Sequence, residues 1–315
     1  MKAEKFFTHP LGIVVAATAT TFLWGSSLPF IKKSYEELSI GPQDFFAQIL
    51  FAGYRFVLAA LGILLVMLLV RKSISYQEGS WKRLVKVGAF QTFFQYLFFY
   101  IGLSTSSGIQ GSIIAGTTSF FQIILAHLMF KNDGISTRKI VGLSIGFLGV
   151  VLVNMPNGQV TLNFGLSEIL LLAAMFCGGL GNILSKQESA YLDILYLTAY
   201  QMLIGGIGLV AIGVSQVGFT PFQFDVSSSL MLIYLAFISG AGFVMWNNIM
   251  KYNKVGNVSM YLFLIPVFGV LLSAIILNES LHLVIFGALA LVTAGIVIVN
   301  REKPVASQSI EIKTE

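Results

Sequence analysis

Few residues in this 315-residue chain can do chemistry, and the most telling is Arg55, in the run Tyr54-Arg55-Phe56 with apolar residues on both sides. It lies about ten residues into an apolar run that begins at Phe45, near mid-membrane, where a lone charge costs at least about 2.5–3.5 kcal/mol on insertion scales. Such a residue belongs inside a helix bundle. There its guanidinium offers a planar fork of donors suited to a substrate carboxylate or phosphate, or it ties helices together through carbonyls and polar side chains. The residue 146 positions later is neutral Gln201, which favours the tie. Glu168 is the one carboxylate inside an expected span and the first candidate for proton coupling. Glu168, His127 and Glu279 each fall within about two turns of expected span ends, where polar side chains snorkel to the interface by default.

Neutral polar and aromatic residues form a second set. Gln91 and Gln95 share nearly one helix face with Phe99, and Tyr96 and Tyr100 stand beside them at i, i+4 spacing. Trp246, Asn247 and Asn248 follow one another in a later run, and Trp24, Ser26, Ser27, Gln122, Asn182 and Tyr261 complete the candidate lining of a cavity. Donors and acceptors between aromatic walls suit a small zwitterion or a semi-polar metabolite. Amides and hydroxyls also hold membrane helices together by hydrogen bonds, so each residue carries both readings. Pro29, Pro266, Gly178 and Gly179, the last two with Gly181, are candidate hinges or helix breaks. Gly142 and Gly146 instead have the spacing that lets two helices touch.

Catalysis and metal binding find no foothold. His9, His127 and His282 are far apart, and Glu279 with His282 at i, i+3 is a single pair and not a zinc motif. Cys177 is the only cysteine, so there is neither a disulfide framework nor a thiolate cluster. No Walker lysine motif is present, which excludes an ATP-driven pump on this chain. The pattern Gly142-Leu143-Ser144-Ile145-Gly146 matches a nucleophile elbow by letter, but it sits in an apolar run and not at a strand-to-helix turn. No catalytic residue, metal or cofactor is expected.

The elements that must position these residues are membrane helices. Hydrophobic residues make up 56% of the chain, charged ones only 10%, and the mean hydropathy is +0.84, whereas a soluble chain carries about 25% charge. Apolar runs give ten expected spans, at about Leu11–Ile31, Phe45–Val70, Leu84–Leu103, Gly108–Phe130, Ile140–Met155, Phe164–Leu184, Leu192–Val214, Leu230–Met250, Asn257–Leu277 and Leu281–Val299. Lys2 and Lys5 precede the first run as in a secretory signal, but the run is too long for one and no small-residue cleavage site follows. With the N-terminus in the cytoplasm, 16 of the 19 Lys and Arg residues fall inside, Lys32 and Lys33 fall outside and Arg55 is within a span. The positive-inside rule therefore predicts ten spans with both termini cytoplasmic, and the net charge of +5 reads as orientation, with no nucleic-acid partner.

The sequence also repeats at an offset of 146. Residues 108–154 align without a gap on 254–300: Asn132 meets Asn278, Asp133 meets Glu279, Gly149 meets Gly295 and Asn154 meets Asn300. Tyr100 meets Trp246, and Tyr54, Arg55 and Gly62 meet Tyr200, Gln201 and Gly208. Each half holds five spans, an odd number, so the halves must be antiparallel in the membrane, the plan of many secondary transporters. The expected organisation is a cytoplasmic N-terminus at 1–10, five-helix repeats at 11–155 and 156–300, and a disordered cytoplasmic tail at 301–315.

The segments Trp24-Gly25-Ser26-Ser27-Leu28-Pro29-Phe30-Ile31-Lys32, Tyr54-Arg55-Phe56, Leu264-Ile265-Pro266-Val267-Phe268-Gly269, Leu277-Asn278-Glu279 and Ala294-Gly295-Ile296-Val297-Ile298-Val299-Asn300, in this order and spacing, resemble the EamA-type branch of the drug/metabolite transporter superfamily. The resemblance implies a ten-helix carrier of the cytoplasmic (plasma) membrane, often an exporter of amino acids or related metabolites, with a central cavity lined by both halves. One departure matters. Related small multidrug exporters carry a coupling carboxylate about two turns before the lysine ending the first span, and eight residues before Lys32 and Lys186 stand Trp24 and Gly178. Cationic-drug antiport by that route is disfavoured, and zwitterionic or anionic cargo is preferred. The expected function is ATP-independent transport of a small metabolite by alternating access, with lipid and substrate as partners and a proton as candidate coupling ion. A carrier of other cargo, a channel and a non-transporting membrane subunit are the alternatives.

Overall fold

Apolar side chains on a backbone that must satisfy its own hydrogen bonds leave helices as the natural form of this chain in lipid, and no β-strand occurs among the described residues of the computed structural model. These residues are 3–105, 111, 114–153, 165–278 and 283–301. After a short helix at Ala3–Thr8 come α1 (Pro10–Glu37), α2 (Phe45–Leu69) and α3, which is built from Trp81–Gly88, a π-helical turn at Ala89–Phe94 and Gln95–Thr105. Helices α4 (Thr118–Met129), α5 (Thr137–Val153), α6 (Leu166–Glu188), α7 (Ile194–Val217) and α8 (Val226–Tyr252) follow. Then come α9, made of Val255–Val258, a 3-10 turn at Ser259–Phe263 and Leu264–Ile276, and α10 (Val284–Asn300). Side-chain caps start two of the helices. Asp193 accepts the Leu195 N–H ahead of α7, and Asp225 and Ser228 cap each other ahead of α8.

Against the ten expected spans, seven helices among the described residues are long and apolar enough to cross a membrane: α1, α2, α3, α6, α7, α8 and α9. Ile114–Met129 and Val284–Asn300 are apolar but shorter, and α5 has 17 residues with Arg138 and Lys139 in its first turn, short of the roughly 20 that a 30 Å core asks for. Two expected helix breaks are not breaks here. Helix α1 runs through Pro29 to Glu37, and α6 runs unbroken through Gly178 and Gly179. At Pro266 the interruption lies upstream, in the 3-10 turn, and the proline occupies the first turn of Leu264–Ile276, where a missing N–H costs no intrahelical bond. Glu168 lies near a helix end: α6 begins at Leu166, so the carboxylate is in its first turn, and its Oε2 accepts the Gly165 N–H at 2.8 Å. His127 is in the last turn of α4. Glu279, His282 and the expected tail at 302–315 lie outside the described residues.

The packing repeats itself. Helix α2 lies along α7 and α5 along α10, α1 packs on α8 and α9, and α6 packs on α3 and α4. Exchanging α1 with α6, α2 with α7, α3 with α8, α4 with α9 and α5 with α10 leaves this pattern unchanged. Glycines make the two self-paired crossings possible. A Cβ at Gly295 would stand 2.6 Å from Gly142 O and 3.0 Å from Gly146 N, and one at Gly213 would stand 2.5 Å from Leu50 Cβ. At Gly295 the obstructing atoms are backbone, which cannot swing aside. Gly295→Val is therefore expected to destabilise the protein by about 1–3 kcal/mol through overpacking, read as a lower midpoint in thermal unfolding. Gly62→Ala, with nothing within 4 Å of its added carbon, should leave that midpoint unchanged or raise it, since alanine suits a helix better by about 1 kcal/mol.

Polar contacts between sequence-distant turns close one end of the bundle. Lys72 pairs with Asp193 at 2.5 Å, and Arg83 and Lys86 both reach Glu188 at 2.5 Å. Lys186 Nζ donates to Met250 O and Asn253 O at 2.5 Å each, and Asn253 Nδ2 donates to Phe7 O at 2.8 Å. The turns meeting here carry the basic clusters. Partial burial raises the Asp193 carboxyl pKa, but the Lys72 hydrogen bond and charge, with two backbone N–H groups, outweigh it and hold the group below its ordinary value. At the other end Ser227 Oγ donates to Glu37 Oε1 at 3.0 Å and Tyr54 Oη donates to Phe219 O.

Candidate functional site

Helix α6 presents Gly178, Gly179 and Gly181 to α3 and α4, and atoms of those helices take the space of the missing side chains. A Cβ at Gly178 would meet Gln95 Cδ at 2.7 Å, one at Gly179 would stand 3.4 Å from the Gln122 backbone N, and one at Gly181 would lie 2.5 Å from Gln91 Cα. The glycines therefore act by close approach, which seats three glutamines between helices. Gln91 stands within the π-helical turn of α3, an irregularity that recurs at functional sites. Its Nε2 donates to Asn182 Oδ1 of α6 at 2.7 Å and to Asn247 Oδ1 of α8 at 3.2 Å. Asn247 Nδ2 passes the chain on to Thr198 Oγ1 of α7 at 3.0 Å. Four helices thus meet in one buried amide network.

Indoles adjoin it. Trp24 of α1 and Trp246 of α8 have ring centroids 5.8 Å apart, and Phe243 closes on Trp24 at 5.1 Å. On the α4 side Ser259 Oγ donates to Gln122 Oε1 at 3.0 Å and Ser119 Oγ to Ser259 O at 2.8 Å, with Tyr261 buried two residues along the 3-10 turn. Several buried polar atoms of this region have no hydrogen-bond partner among the described residues: Trp24 Nε1, Trp246 Nε1, Gln122 Nε2 and Gln91 Oε1. Burying such atoms unpaired costs about 1–3 kcal/mol each, so they are groups a ligand can satisfy. Gln91, Gln122, Trp246 and Asn247 are almost wholly buried.

Arg55 is 3% exposed, its Nε donates to Ser239 Oγ of α8 at 2.6 Å and its guanidinium lies 5.2 Å from the Phe56 ring. Thr92 Oγ1 of α3 donates to Gln201 Oε1 of α7 at 2.6 Å. Phe56 stacks toward Tyr96 at 4.4 Å, and Tyr96 toward Tyr100 at 6.3 Å.

The structure gathers Gln91, Asn182 and Asn247 by direct bonds, packs Gln95 and Gln122 on the α6 glycines, joins Trp24 to Trp246 and sets Tyr96 and Tyr100 beside Arg55's neighbour Phe56. It leaves others out. Among the described residues Ser27 Oγ bonds only Trp24 O of its own helix, Asn248 Nδ2 bonds Val244 O, and Ser26 ties α1 to Tyr234 of α8. Glu168 stands apart at the start of α6. Reading the sequence did not single out Thr92, Thr198, Ser239 and Ser259; small hydroxyls in apolar runs were the available signal, and only tertiary packing selects among them.

A family model described as the EamA-like transporter family matches residues 11–155 and 165–301. Among curated proteins the chain is similar to the uncharacterized transporter YoaV of Bacillus subtilis (strain 168), at 22% identity over 90% of this chain and 95% of the relative. It is also similar to a probable amino-acid metabolite efflux pump of Escherichia coli (strain K12), at 26% identity over 65% of this chain and 71% of the relative. A crystal structure superposes with a TM-score of 0.72 at 15% identity, covering 90% of this chain and 97% of that one, which shows a shared fold.

Proposed function

The chain belongs to the EamA-like transporter family, and from that membership we propose that it is a secondary transporter moving a small metabolite, an amino acid or a related zwitterion or anion, outward across the plasma membrane without ATP. In this reading the chain forms ten spans as two antiparallel five-helix halves, with both termini cytoplasmic and the basic end of the bundle facing the cytoplasm. The observation that carries it is the exchange-symmetric helix packing around a buried cluster of amides and indoles. Two halves that can trade conformations switch access to a shared site from one face to the other, and unpaired buried donors and acceptors are the groups a polar cargo would satisfy. The cargo class draws on the relative named as an amino-acid metabolite efflux pump and on the neutral, aromatic character of the cluster.

Purified protein in liposomes is expected to exchange or release amino acids with no ATP present. Trp246→Ala and Gln95→Ala should each lower that flux about tenfold, the equivalent of roughly 1.4 kcal/mol of lost interaction. Flux unchanged by both substitutions would remove the cargo site from this cluster.

A further inference from the structure

The geometry points to Arg55 as a carboxylate-binding subsite, in which the guanidinium takes the acid end of the cargo; this rests on the transport reading above. Arg55 is 3% exposed, and its one hydrogen bond among the described residues is Nε to Ser239 Oγ at 2.6 Å. No carboxylate lies within ion-pair distance of it among those residues. A guanidinium has five N–H donors, so most of its donor capacity is unspent and its charge is unbalanced. The neighbours are groups that accept or donate to an acid without competing for the cation. Tyr35 and Tyr96 both stand within electrostatic reach of Arg55 and of Tyr100, and the Tyr35 hydroxyl is buried beside that of Tyr100. An anion seated here would meet a charged fork and tyrosine hydroxyls at once.

The pseudo-symmetric counterpart argues that the charge serves more than packing. Arg55 of α2 is bonded to Ser239 of α8, and Gln201 of α7 is bonded to Thr92 of α3. Under exchange of the two halves these ties join equivalent helices, with Thr92 one residue from the counterpart of Ser239; one is made by a cation that donates and the other by a neutral amide that accepts. Glutamine is therefore enough to hold such a pair of helices together, and the buried positive charge is left for a ligand to neutralise. The expected consequence is a preference for cargo with a free carboxylate over the same molecule with that group amidated.

The test uses full-length protein in liposomes and in detergent, with L-leucine against L-leucinamide and L-phenylalanine against L-phenylalaninamide as probes. Wild type should favour each acid over its amide by about tenfold or more in flux, and the acids should raise its unfolding temperature. Arg55→Gln should bring the acid-to-amide ratio near one and abolish the thermal shift. Arg55→Lys, which keeps charge without the planar fork, should lose several-fold of the ratio. A folded Arg55→Gln with the wild-type ratio overturns the subsite, as does wild-type flux that does not distinguish acid from amide, while transport itself stands. If Arg55→Gln fails to fold, an unchanged ratio in both Arg55→Lys and Tyr35→Phe overturns it. Wild type that moves none of the probes overturns the transport reading; acid-dependent thermal stabilisation lost in Arg55→Gln would still support the subsite.

Discussion

Asp133→Ala is expected to destabilise the protein by about 3–5 kcal/mol, the usual cost of removing one partner from a buried ion pair. Asp133 Oδ1 accepts from Lys139 Nζ at 2.6 Å, with both side chains no more than 4% exposed. The same carboxylate accepts the Gly256 N–H, at 3.1 Å to Oδ2, and so holds the start of α9 against the turn between α4 and α5. Lys139 also donates to Gly134 O at 2.8 Å. Lys186, itself buried, is within electrostatic reach of Asp133 and sits 5.6 Å from the Phe130 ring. Without the carboxylate, two buried lysines face one another's surroundings with no counter-charge. Thermal unfolding should show a large drop for Asp133→Ala and a smaller one for Asp133→Asn, which still offers an oxygen to Gly256. The double variant Asp133→Ala with Lys139→Met should lose less than the two single losses added, because the charge stranded at Lys139 is gone. The comparison is Lys72→Ala, whose pair with Asp193 is 45% and 41% exposed and is worth no more than about 1 kcal/mol. If Asp133→Ala and Lys72→Ala fall by the same small amount, the buried cluster is not a clamp.

The apolar runs located the helices because lipid leaves no other form for such a backbone, and the 146-residue offset anticipated that Gly142 and Gly295, far apart in sequence, serve equivalent helices; they meet at one crossing. Helix ends were less legible. The expected span began at Phe164, which put Glu168 inside it, yet the hydrogen bond from the Gly165 N–H marks it as a start signal, and a capping bond is invisible to hydropathy. The glycines of α6 were read as weak points; their part became clear only with the glutamines of α3 and α4 against them. Nothing local distinguishes the π-helical turn at Ala89–Phe94 or the 3-10 turn at Ser259–Phe263 from regular helix, since both answer to neighbours. Arg55 was legible as a buried charge, whereas its partner Ser239, 184 residues away, was not.

Gln91→Leu should keep the fold and reduce flux by about tenfold or more. Leucine has nearly the volume of glutamine, so the contact against Gly181 survives, while the bonds to Asn182 and Asn247 do not. Interhelical hydrogen bonds in membranes average about 0.6 kcal/mol and reach about 1.7, so the stability loss from two of them is about 1–3 kcal/mol, less than for Asp133→Ala. Flux should suffer more than stability if the network holds cargo, because Gln91 also carries an unpaired Oε1 beside those bonds and its removal strips both the anchor and the free acceptor. Asn182→Leu and Asn247→Leu should fall in the same direction, and combining either with Gln91→Leu should add little, since members of one network do not act independently. Flux is measured in liposomes and stability by thermal unfolding of the same preparations. Variants whose flux falls only in proportion to a lower unfolding temperature would make the network a fastener of α3, α6, α7 and α8. Variants that stay folded and lose transport would make it the place where the cargo sits.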